Sequence, residues 1–115
     1  MTSASCARAI YWRARPGQLQ AYSDYLREQV EPIDHAAQRS GAVHSFSTLV
    51  DPAPNAAWTH LRLFYFASAE QRANMVQALA EAAATLTPDA SVRQARAALA
   101  ATLRERVGEA DFEVL

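Results

Sequence analysis

The chain predicts an α+β fold: a four-stranded antiparallel sheet with helices on one face. Two observations carry this. Trp58-Thr59-His60-Leu61-Arg62-Leu63-Phe64-Tyr65-Phe66 reads as a strand, and Ser68, just after it, reads as a helix cap. Two-residue and three-to-four-residue apolar periods then alternate along the chain in a fixed order.

The elements follow in sequence. Ala7 to Arg15 is the first strand, with Tyr11 and Trp12 as strand formers. Pro16-Gly17 breaks it. Leu19, Tyr22, Leu26, Val30, Ile33 and Ala37 then make one helical stripe. Pro32 removes a backbone donor and should kink that helix near Glu28 to Glu31. Gly41 terminates it. Ala42 to Val50 is the second strand, Asp51 to Asn55 a turn, and Trp58 to Phe66 the third strand.

Ser68 and Gln71 form a capping box for a helix to about Leu86, with Val76, Leu79, Ala83 and Leu86 as its stripe. Thr87-Pro88 starts a third helix over 91–107, with Val92, Ala95, Leu99, Leu103 and Val107 inward and Gly108 as its stop. Phe112 and Val114 alternate as a short last strand. The order strand, helix, strand, strand, helix, extra helix, strand is ferredoxin-like. Residues 1–115 read as one domain.

Composition bounds the function classes. The chain has 115 residues, half of them apolar, a net charge of −1, 11 Arg and no Lys. The Arg residues are scattered, so no basic field for nucleic acid forms. The single Cys6 excludes an intrachain disulfide and a cysteine-based zinc site, and its position suggests a loose chain end. No leader pattern or membrane-length apolar run is present, so a cytoplasmic protein is expected. No cofactor and no metal site are expected. Glu31, Asp34 and His35 cluster after the kink and read as solvated surface.

Strand parity puts Trp58, His60, Arg62, Phe64 and Phe66 on one face and Thr59, Leu61, Leu63 and Tyr65 on the other. A symmetric hairpin over 51–57 would set Val50 against Trp58, Thr48 against His60, Phe46 against Arg62 and His44 against Phe64. Helices cover one sheet face only. The face with Phe46, Trp58, Phe64 and Phe66 is expected to be the bare one, closed by a second copy in a two-fold homodimer. His60 and Arg62 would then point into the interior between the copies.

With these elements in place, the chain resembles the dimeric α+β barrel superfamily. Arg13-Ala14-Arg15-Pro16-Gly17 is similar to that group's passage from strand one into helix one. Trp58-Thr59-His60 with Phe66-x-Ser68 is similar to the aromatic-Thr-His strand and Phe-x-Ser of the stress-responsive barrel group. The resemblance implies a pocket-facing His60 that serves as a general acid or base, as in a polyketide cyclase of that group. The cyclase's second histidine has no counterpart between Glu70 and Ala78. The Asn, Trp and His set of the haem-degrading members has no match either. The helix over 91–107 lies beyond the minimal family core.

Two functions are open on this reading. One is cofactor-independent proton-transfer chemistry of cyclase, isomerase or monooxygenase type on an aromatic or polyketide-like small molecule. His60 would be its catalytic residue and Arg62 its anion anchor. Trp12, Tyr25, His44, Phe46, Trp58 and Phe64 would complete the ligand site. The other is a non-catalytic dimer that binds a hydrophobic ligand or a protein. A cavity that reaches His60 and has room for a ligand would separate the two.

Overall fold

The computed structural model describes residues 3–115. Met1 and Thr2, the start of the segment read for a leader, lie outside the described residues. Strand β1 (Cys6–Ala14) leads into helix α1 (Leu19–Tyr25), a π-helical turn (Leu26–Val30) and helix α2 (Glu31–Arg39). Strands β2 (Ser45–Val50) and β3 (His60–Phe66) follow. Helices α3 (Ala69–Ala73), α4 (Met75–Leu86) and α5 (Ala90–Leu103) then precede strand β4 (Arg104–Glu113). The four strands form one antiparallel sheet in the order β2-β3-β1-β4, a ferredoxin-like α+β fold.

The π-helical turn sits where the proline kink is expected. Pro32 lies in the first turn of α2 and donates no hydrogen bond, so the helix takes a wide turn before it. The stripe on either side holds: Tyr22, Leu26 and Ala37 are buried. At the cap of α3, Ser68 Oγ accepts from Gln71 N at 3.1 Å, and Gln71 Oε1 accepts from Ala67 N at 2.7 Å.

Several boundaries differ from the sequence reading. The hairpin between β2 and β3 pairs Val50 with His60, Thr48 with Arg62 and Phe46 with Phe64, two residues from the symmetric register. The loop is longer than expected because Asp51 N donates to Thr59 O and Asp51 Oδ1 accepts from Ala53 N. Trp58 is thereby left outside β3, and its ring packs on Tyr11 at 5.7 Å. The helix expected from Ser68 to Leu86 breaks at Asn74. Met75 rather than Val76 turns inward, and Val76 is 70% exposed.

Asp89, not Thr87, caps α5, accepting from Ser91 N at 2.9 Å. That helix stops at Leu103. Its inward residues are Ala100 and Leu103, while Val92, Leu99 and Val107 are nearly half exposed. Residues 104–113 pair with β1 along its whole length instead of extending the helix. Acids on β4 meet arginines on β1: Arg8 with Glu109 and Asp111, and Arg13 with Glu105. Cys6 is a buried core residue of β1, packed with Phe64, Phe66 and Met75, rather than part of a loose end.

The largest correction concerns the sheet faces. His60, Arg62, Phe64 and Phe66 do share one face, but it is the face under the helices. His60 lies against Tyr22 of α1 and Arg62 against Asp34 of α2. Phe64 and Phe66 join the core with Ala37 and Met75. The open face instead carries Ala7, Ala9 and Tyr11 of β1 with Leu61, Leu63 and Tyr65 of β3. Ser47 and Leu49 flank them on β2 and Phe112 on β4.

Candidate functional site

His60 opens β3, and the start of that strand fixes its ring. Thr59 N donates to Trp12 O at 2.9 Å, and Ala14 N donates to Thr59 Oγ1 at 2.7 Å. Thr59 Oγ1 in turn lies 2.8 Å from His60 Nδ1. On the other side of the ring, Ser23 Oγ of α1 lies 2.9 Å from Nε2 and donates to Leu19 O at 2.9 Å. One proton arrangement satisfies the whole chain: the Thr59 hydroxyl donates to Nδ1 and Nε2–H donates to Ser23. The ring has no exposed surface and meets Tyr22 edge-on at 4.5 Å. Burial pushes its pKa down to about 4, so the ring is neutral at pH 7.

A small cleft of about 100 Å³ reaches His60 between Ser23, Leu26, Arg27, Glu31, Thr48 and Val50. That is room for a few water molecules and not for an aromatic substrate.

Arg62 is equally committed. Its guanidinium donates to Asp34 Oδ2 and, at 2.8 Å, to Thr48 Oγ1, and it lies 5.1 Å from the Phe64 ring. Its acid partner is in its own chain, not across an interface. Asp34 is therefore no surface residue. Burial pushes its carboxyl upward, and the Arg62 charge pulls it back. His35 does stay exposed, edge-on to Phe46 at 4.9 Å. Among the described residues, no three metal-ligating side chains gather.

The larger cavity lies elsewhere on the helix side of the sheet. Its volume is about 460 Å³, within the range of small-molecule sites. Trp12 and Tyr25, two of the expected ligand residues, meet in its wall, so Trp12 faces the helices and not a barrel interior. Val30, Ile33 and Ala83 add apolar surface. Helix α5 supplies Arg93, Arg96, Ala97, Ala100 and Ala101, and β4 supplies Arg104. Arg104 stacks 3.7 Å over Trp12 and donates to Tyr22 Oη at 3.0 Å. Tyr22 thus stands between this cavity and His60, which does not line it. Burial raises the Tyr22 pKa, and Arg104 partly offsets the rise.

The expected site is therefore divided. Trp12 and Tyr25 share the large cavity, and His60 lines the small cleft. Arg62, Phe64 and Phe46 lie along the helix face of β2 and β3. Trp58 sits against Tyr11, and His44 is exposed at the start of β2 beside Ser45. Ser23, Arg93, Arg96 and Arg104 carry no mark in the sequence reading, and Asp34, read there as solvated surface, is buried. A signal did exist for two of them. Arg93 and Arg96 are three apart on a helix that contains no acid.

Fold and site together describe a small ferredoxin-like α+β protein with a helix-walled cavity. The crystal structure of HapK from Hahella chejuensis is similar in fold, with a TM-score of 0.62 over 96% of this chain and 92% of that one, at 13% identity. At that identity the likeness concerns the fold alone. No protein-family model matches the chain, and no curated protein matches it significantly.

Proposed function

We propose that this chain binds an apolar or aromatic small molecule in the cavity between α1, α2, α5 and the sheet. The observation that carries this is the cavity itself: about 460 Å³ with two aromatic side chains and a run of alanines in its wall. Binding without turnover fits better than His60 catalysis. The ring has both nitrogens engaged and a pKa about 4, too low for an effective acid or base near neutrality. A proton-transfer reading keeps one supporting observation, the small cleft at His60. Trp12 in the cavity wall provides the test. Naphthalene-type ligands should quench its fluorescence and raise the melting temperature, and Trp12→Phe should remove the quenching. A quench that survives Trp12→Phe would place binding elsewhere and overturn the reading.

The same proposal includes a homodimer through the open sheet face. Leu49 and Phe112 are 46% and 48% exposed there, beside half-buried Tyr11, Leu61, Leu63 and Tyr65. Such a face is more stable covered, and a second copy offers the complementary surface. Light scattering at micromolar concentration should give twice the chain mass. Leu63→Asp should halve it while leaving the helix content unchanged. A monomer for the unmodified protein would exclude the dimer.

A further inference from the structure

The cavity has a second property that its apolar lining does not explain. Three guanidinium groups, Arg93, Arg96 and Arg104, stand in its wall, and no Asp or Glu does. Their hydrogen-bond partners are neutral, while the Arg93 charge also acts on the Asp89 carboxylate at the cap of α5. Arg93 donates to Thr87 O and Pro88 O at 2.7 and 2.9 Å. Arg96 donates to Thr87 Oγ1 at 2.8 Å, and Arg104 to Tyr22 Oη. Arg8, Arg13, Arg27, Arg62, Arg72 and Arg106 each have a carboxylate within 4 Å, whereas the three cavity arginines, like Arg15 and Arg39, form no such pair among the described residues. In addition, Arg96 Nε is buried without a hydrogen-bond partner, a state natural proteins rarely leave unanswered.

We infer that the cavity takes an anionic ligand: a flat apolar body seated on Trp12 and Tyr25, with a carboxylate or similar oxyanion held by Arg96 and Arg93. Resting on the binding reading above, this names the ligand class. Three positive charges around an apolar space attract an anion, and a forked guanidinium matches a carboxylate in geometry. Helix α5 brings Arg93 and Arg96 to the cavity, so the extra helix acquires a role as the charged wall of the site.

The test compares 2-naphthoate with its neutral analogue 2-naphthamide by titration calorimetry on the full chain. Naphthoate should bind about tenfold or more tightly, as charge-assisted hydrogen bonds imply. Arg96→Gln and Arg93→Gln should each remove most of that preference. Added salt should weaken naphthoate and spare naphthamide. Equal affinity of the two compounds would overturn the anionic assignment while leaving the cavity a binding site. Failure of both compounds to bind would overturn the cavity reading and this inference with it. The preference of the unmodified protein decides the question even if a variant fails to fold.

Discussion

Removing either member of the buried Arg62–Asp34 pair should cost about 3–5 kcal/mol of folding stability, because the survivor keeps its charge out of water with nothing to answer it. Both side chains are almost fully enclosed, Arg62 under α2 and Asp34 facing down from it. Arg62→Met strands a carboxylate whose pKa burial already raises, and it should take up a proton. Asp34→Leu strands a guanidinium, which cannot lose its charge, so this single variant should be the worse of the two. The double variant should recover much of the loss, since two apolar residues of similar volume fill the space without desolvating a charge. Urea unfolding of the four proteins measures the coupling directly. Single variants that cost less than about 1 kcal/mol would mean that water reaches the pair.

Acid should destabilise the protein through His60 by on the order of 3 kcal/mol between pH 7 and pH 4. The ring titrates near 6.5 in the unfolded chain and at about 4 in the folded one. Between those values the unfolded chain binds a proton that the native state refuses. The stabilisation is therefore complete above about pH 6.5 and is lost as the pH falls toward 4. His60→Gln should be less stable at pH 7, because a planar amide cannot reproduce both ring contacts, to Thr59 and to Ser23. The stability gap between the two proteins should then narrow on acidification. A gap that stays constant from pH 7 to 4 would show that the folded-state ring titrates normally. His35 and His44 are present in both proteins and cancel in the comparison.

The ferredoxin-like order, the kink before Pro32 and the cap at Ser68 were all legible in local sequence. Each depends on neighbours within about four residues: a missing donor, a hydroxyl beside free amides, an apolar period. The candidate site was only partly legible. Strand parity placed His60, Arg62 and Phe64 together, and they are together. Parity does not say which face meets the helices, and here both faces of β3 are largely apolar. A His and an Arg suggested a polar cavity, yet both are satisfied from under the helices. Ser23 and Asp34, which satisfy them, lie 37 and 28 residues away in sequence.

The C-terminal third shows the same division. Residues 104–113 are rich in charge and follow an alanine-rich helix, so the local signal favours a longer helix. The strand forms because β1 offers an unpaired edge, with Arg8 and Arg13 opposite the acids of β4. By itself, the sequence determined the kinds of elements, their order and which side chains travel together on a strand. The tertiary structure alone decided which sheet face is covered, where the helix yields to the strand, and that the large cavity belongs to Trp12, Tyr25 and the α5 arginines rather than to His60. The physical reason is range: periodicity and capping act over a turn or two, whereas burial, ion pairing and strand pairing depend on groups that only the folded chain brings together.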